Sequence, residues 1–223
     1  MISFASALPP LRTEPDAAVS TRLVATTRDD ILLLTLESDD GYPRLERTVM
    51  NALAGEMRRL AEAPELAGAV VSGSERAFAV GADVAEVVQL HGTQGFEFSR
   101  RGQEVLATVA RSRKSLVAAI RGFCLGGGLD LALACHARIA TDDAVFAHPG
   151  GALGIITGWG GTQRLPRLIG RGRAMEMLVT GAKINAQEAF ACGLITGLSS
   201  GPELIAEAFR LARRQQASGA AIP

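Results

Sequence analysis

The sequence predicts an α/β fold. Short apolar, β-branched runs of strand length alternate with stretches of helical spacing, the pattern of strands buried under helices. Nearly half of the 223 residues are apolar, at 48%, which is enough for one sizeable core. No fixed-period repeat runs along the chain, so nothing points to a solenoid.

Residues 1–20 are rich in Pro, Ala and Ser and read as a loose arm; residues 21–223 form the predicted domain. Residues 24–27 and 31–36 flank Arg28-Asp29-Asp30 and read as a hairpin. Leu45, Val49, Leu53, Met57 and Leu60 fall on one face of a helix over residues 45–63, and Pro64 comes just past its end. Gly68–Ser72 is a buried strand, and residues 95–112 form the next helix. Residues 116–120 repeat the buried-strand pattern; three glycines then lead into helix formers at 129–135. Residues 137–140 and Val145–Ala147 are short strands with a turn at Asp142-Asp143. Gly160-Gly161 precedes a helix at 162–168. Further helices are predicted at 174–180, from about Ala186, and at 202–215, before a tail of small residues.

The 23 basic and 23 acidic residues sum to zero charge, which gives no support to a nucleic-acid or anionic-membrane partner. No apolar run reaches the about 18 residues that mark a membrane helix. The first residues lack the basic-then-apolar pattern of a signal peptide. A cytoplasmic protein is expected. Cys124, Cys135 and Cys192 cannot all pair and show no metal-ligand spacing, so they read as small apolar residues in a reducing compartment.

Two glycine segments bear on chemistry: residues 77–83, AFAVGAD, and residues 122–130, GFCLGGGLD. Glycine lets the backbone turn sharply and lets a ligand come close. In the second segment the glycines sit where a helix begins, and a helix start offers free N–H donors and partial positive charge. Two N–H groups aimed at one oxygen make an oxyanion hole. Tight strand-to-helix turns without a ligand are the plain alternative. The triple glycine is not a phosphate loop, because no Gly-Lys-Ser/Thr follows.

These residues carry a family resemblance. Residues 77–83 resemble the AFxAGAD segment of the crotonase (enoyl-CoA hydratase/isomerase) superfamily. Residues 120–135, IRGFCLGGGLDLALAC, resemble its VNGxxxGGGxELALAC segment. Residues 154–168, GIITGWGGTQRLPRL, resemble G-x-x-P-G-x-GGTQRLxRL, and residues 175–194 resemble the MxxxTGxxxxAxEAxxxGL stretch. The four come in family order, and the similarity as a whole covers roughly residues 23–215. The resemblance implies a Clp protease/crotonase-like fold of repeated β-β-α units, here with a shortened C-terminal helical region. It implies a homotrimer or dimer of trimers. The implied substrate is an acyl-CoA thioester, with coenzyme A part of that substrate and no permanently bound cofactor. It implies an oxyanion hole from the N–H groups of Ala82 and Gly127, with CoA along the backbone at Ala79, Gly81, Ala82 and Asp83. Basic residues of the loop after the second strand, Arg44 and Arg47, are implied phosphate contacts; solvated loop charges are the alternative. Ala85 stands where relatives often carry a second basic residue, so one phosphate contact is expected to be missing.

The sequence also departs from the family. Relatives add water across a double bond with two glutamates. The first glutamate position is Asp130, one methylene short; the second is Gly150, which has no carboxylate; the later proline is Thr157. The two-glutamate reaction is therefore not expected to operate as written. His148 lies two residues before Gly150 and on a strand would share its face, so it is a candidate base. An external anion, as in naphthoate synthases that have a glycine there and bind bicarbonate, Asp130 alone as an isomerase base, and loss of hydration are the other possibilities. Restoring both positions to glutamate is expected to raise hydratase activity if the pocket is intact. His136, His91 and Trp159 read as structural or solvated. The reading is an enzyme that stabilises an enolate of an acyl-CoA thioester, with a non-catalytic acyl-CoA-binding relative as the alternative. A serine protease on the related fold lacks its nucleophile at Gly128-Leu129-Asp130.

Overall fold

A computed structural model describes residues 20–218, so the N-terminal arm, apart from Ser20, lies outside the described residues. Strands β1 (Thr21–Arg28) and β2 (Ile31–Ser38) form the expected antiparallel hairpin. Asp29 takes a φ of 54° in its turn, a left-handed conformation that aspartate tolerates. Helix α1 (Arg47–Glu62) buries Val49, Leu53, Met57 and Leu60, the predicted face. Three successive β-β-α turns follow. The first is β3 (Gly68–Ser72), β4 (Ala77–Ala79), a single turn α2 (Val84–Val87) and α3 (Thr93–Ala110). The second is β5 (Ser115–Ile120), β6 (Phe123–Leu125) and α4 (Gly127–Ala134). The third is β7 (Ala137–Thr141), β8 (Val145–Ala147), a 3-10 turn over Pro149–Leu153 and α5 (Gly161–Ile169). The remainder is α6 (Arg171–Thr180), β9 (Ile184–Asn185), α7 (Ala186–Ala191), β10 (Gly197–Ser199) and α8 (Leu204–Ser218).

The first strand of each turn joins a six-stranded sheet of order β1-β2-β3-β5-β7-β10, parallel from β2 onward. The second strand joins a smaller sheet of order β4-β6-β8-β9. Strands β3, β5 and β7 are buried along their whole length, which is why β3 and β5 read as apolar runs without alternation. Residues such as Val70, Val117 and Ile139 face α8, where Leu204, Ala208 and Phe209 cover them. Their neighbours Val71, Leu116 and Ala140 face the main core with α1, α3 and α4. Arg138 is buried in β7, and its guanidinium donates to the carbonyls of Leu194, Ala132 and Cys135 at 2.7, 3.3 and 2.8 Å. These bonds offset the cost of burying the charge and tie β7 to the end of α4 and to the chain entering β10. All three cysteines are free thiols. Among the described residues no helix is long and apolar enough to cross a membrane.

Candidate active site

The two glycine segments end up side by side because β4 and β6 pair in parallel. Beyond β4 the chain is held by Val80 N–H donating to the Pro43 carbonyl at 2.9 Å, and by Leu45 N–H donating to the Gly81 carbonyl at 2.8 Å. Gly81 turns with a φ of 104°. Beyond β6, Gly126 turns with a φ of 52°, its N–H donates to the Ala147 carbonyl at 2.9 Å, and α4 begins at Gly127. The turns touch so closely that a Cβ on Gly127 would lie 3.4 Å from the Ala82 nitrogen, and one on Gly81 3.3 Å from the Gly127 nitrogen. Among the described residues neither the Ala82 nor the Gly127 N–H has a main-chain acceptor.

Both turns open on a cavity of about 360 Å³. Of the residues singled out from sequence, Gly81, Ala82, Gly127, Asp130, His148 and Gly150 line it, together with apolar side chains that include Val84, Phe98 and Leu178. Ala79 does not reach it: its carbonyl packs against Gly128 behind the wall. The Asp83 carboxylate is used as the cap of α2, accepting from Ala85 N–H at 3.0 Å. Arg44 is neither a solvated loop charge nor a free cation. It is buried, pairs with Asp40 at 2.9 Å and donates to the Tyr42 carbonyl at 3.0 Å. Arg47 is exposed, with Glu86 at 3.6 Å.

Asp130 projects from α4 and is fully buried. Burial pushes its carboxyl up to about 6, against the opposing pull of a hydrogen bond from the Thr157 hydroxyl and of the Arg164 guanidinium. That bond goes to Oδ2. Among the described residues Oδ1 has no hydrogen-bond partner; it lies 3.6 Å from His148 Nε2. His148 is 3% exposed, neither ring nitrogen has a hydrogen-bond partner among the described residues, and burial lowers it to about 4, so it is neutral at pH 7. A carboxylate held through Oδ2 and a buried imidazole thus face one another on the cavity wall.

The strand is Val145–Ala147, as the sequence implies, so His148 and Gly150 do not share a strand face: Pro149 has no N–H to continue the ladder, and the chain turns into the 3-10 segment. Both residues still line the cavity, by the turn and not by strand alternation. Gly150 has no room for a side chain: a Cβ there would lie 2.6 Å from the Ile155 carbonyl oxygen. Simple restoration of a glutamate at 150 is therefore not accommodated. Thr157, noted from sequence only as a lost proline, is a hydrogen-bond donor to Asp130; a hydroxyl arriving together with a shortened carboxylate was the available signal. His136 is structural, its Nδ1 accepting from Leu116 N–H at 3.0 Å and its Nε2 3.1 Å from the Ser112 carbonyl. His91 is exposed and does not line the cavity.

A fold of stacked β-β-α turns, with glycine turns from two neighbouring units meeting at one apolar cavity, defines the crotonase class. A sequence profile described as enoyl-CoA hydratase/isomerase matches residues 26–222. The chain belongs to the enoyl-CoA hydratase/isomerase family. It is 42% identical over 151 residues to a crotonyl-CoA hydratase of Syntrophomonas wolfei; the match covers 67% of this chain and 58% of that relative. It superposes on a crystal structure of enoyl-CoA hydratase from Bacillus anthracis with a TM-score of 0.82 and 31% identity, over 89% of this chain and 78% of that one. Pseudomonas aeruginosa DspI aligns with a TM-score of 0.82 and 28% identity, over 94% of this chain and 77% of the other.

Proposed function

We propose that the chain binds an acyl-CoA thioester in the cavity of about 360 Å³ and forms its enolate. The observation that carries this is the adjacency of the Ala82 and Gly127 N–H groups on a wall shared with Asp130 and His148. The thioester oxygen accepts from both N–H groups and gains negative charge as a base removes the α-proton. Neutral His148 is that base. The imidazolium it becomes lies 3.6 Å from Asp130, whose carboxylate is ionised above about pH 6. The proton then returns to the α-carbon or to the γ-carbon, giving exchange or a double-bond shift. CoA runs along the backbone at Gly81 and Ala82, with Arg47 the exposed cation for a phosphate. The crotonyl-CoA hydratase relative supports a short thioester as the substrate class.

Hydration needs a second proton-transfer group, and Gly150 supplies none. Losing a positioned acid or base costs about 10²–10⁴ in rate, so crotonyl-CoA hydration is weak or absent. Gly150 also favours the second reading, an acyl-CoA-binding relative without catalysis. Assays with crotonyl-CoA and 3-enoyl-CoA, beside CoA-thioester binding, separate the two. Turnover supports the enzyme, binding without turnover supports the second reading, and no binding overturns both. The chain is further proposed to form a homotrimer, because Met175 and Val179 of α6 and Phe190 of α7 are exposed apolar residues of the region after Gly161. A monomer by light scattering at micromolar concentration contradicts that.

A further inference from the structure

Trp159 precedes the start of α5 and is 4% exposed. Its ring centroid lies 5.2 Å from that of Phe98 in α3. Two glycines make room for it. A Cβ on Gly127 would come within 2.7 Å of the indole Cζ3, and one on Gly102 of α3 would overlap the indole on its other side. Among the described residues its buried Nε1–H has no acceptor, although buried indole N–H groups usually find one. The residue is held by packing, at the cost of an unmade hydrogen bond, so its bulk is what the site uses.

That bulk is a partition. The indole lines the active cavity of about 360 Å³. It also lines a cavity of about 660 Å³ between α3, α4 and α5, walled by Ala107, Leu133 and Leu168 together with Gln103, Arg164 and Arg167. A third, of about 280 Å³ beside α1 and α3, has the indole in its wall with Leu45 and Met50. A carbonyl held at the Gly127 N–H sits next to the ring edge, so its acyl chain meets the indole before it reaches either neighbouring space. We infer that Trp159 is the specificity-determining wall that restricts the site to short acyl groups, and that removing the indole opens the site to longer ones. This rests on the acyl-CoA reading above.

The test is equilibrium binding of butyryl-CoA and octanoyl-CoA to the wild-type protein and to Trp159→Ala and Trp159→Leu. The leucine variant keeps an apolar filler in case alanine does not fold. One methylene in an apolar pocket is worth about 10- to 200-fold, so the wild type should favour butyryl-CoA by tenfold or more (~10-fold as the floor). Both variants should move the ratio toward octanoyl-CoA by about tenfold or more. A residue that only stabilises the fold would weaken both ligands together and leave the ratio unchanged. An unchanged ratio in a folded variant, or equal wild-type affinity for the two thioesters, overturns the inference while leaving the acyl-CoA reading in place. Wild-type protein that binds neither thioester overturns both.

Discussion

The Thr157 hydroxyl donates to Asp130 Oδ2, leaving Oδ1 3.6 Å from His148 Nε2. Two departures from the family pattern are thus one arrangement: the shortened carboxylate is held by the hydroxyl that stands where relatives have a proline. Thr157→Val removes the donor from a buried carboxylate while keeping its shape. The Asp130 carboxyl should then titrate higher still than about 6, because the ionised form loses a bond. Stability at pH 8 should fall by about 1–3 kcal/mol. Thr157→Ser should restore both. Carboxyl carbon NMR reads the first quantity and denaturant melts the second; a valine variant that titrates like the wild type contradicts the assignment.

The Asp130 and His148 shifts act on stability with opposite signs. Asp130 is raised from 3.8 to about 6, so the folded state holds its proton more tightly, and this contribution is lost as pH rises through about 6. His148 is lowered from 6.5 to about 4, so its contribution is lost as pH falls from 6.5 through about 4. Each shift corresponds to about 3 kcal/mol, and in the wild type they largely cancel between about pH 4 and 6. As pH rises from about 4 to about 6, His148→Gln should therefore lose about 3 kcal/mol relative to wild type, and Asp130→Asn should gain about as much. Urea melts across that range check this. Variant curves parallel to the wild type contradict the opposed titrations.

Gly127→Ala places a methyl 2.7 Å from the Trp159 ring and 3.4 Å from the Ala82 nitrogen. The two N–H groups should be pushed apart. A misplacement of about 1 Å costs about 10²-fold in rate, and that loss should appear in thioester α-proton exchange. An alanine variant that exchanges like the wild type would remove these N–H groups from the mechanism.

Asp130→Glu with Gly150→Glu should not raise hydratase activity, against what the sequence alone suggests. A Cβ on Gly150 would lie 2.6 Å from the Ile155 carbonyl oxygen, so the 3-10 turn must shift before a side chain fits. Overpacking of this kind costs about 1–3 kcal/mol. Crotonyl-CoA hydration and thermal melts of the double variant decide it; a gain in rate with an unchanged melting point contradicts the reading.

How far the sequence reached depended on the length over which each signal accumulated. β3, β5 and α1 were legible because unbroken apolar runs and a five-residue helical face are averaged over many positions. β4 and β6, three residues each, lie inside the glycine segments and are too short to show a period. Their pairing, which sets Ala82 beside Gly127, was reachable only through the family resemblance. The Thr157–Asp130 bond spans 27 residues, from the loop before α5 back to α4, and no local pattern encodes it. Arg44 reads from sequence as a phosphate contact or a solvated loop charge, because neither its partners nor its burial shows locally; its burial comes with its bonds to Asp40 and the Tyr42 carbonyl. Pro149 is visible in the sequence, and its missing N–H is the reason the strand ends at Ala147 and does not run on through His148 to Gly150.

The most direct test of enolate formation is deuterium incorporation at C2 of butyryl-CoA in heavy water, followed on either side of the Asp130 transition near pH 6. Enolate stabilisation by the Ala82 and Gly127 N–H groups, with His148 as base, predicts protein-dependent exchange that is strongly reduced in both Gly127→Ala and His148→Gln. Butyryl-CoA that binds tightly yet exchanges no faster than in buffer, at every pH tested, would contradict it.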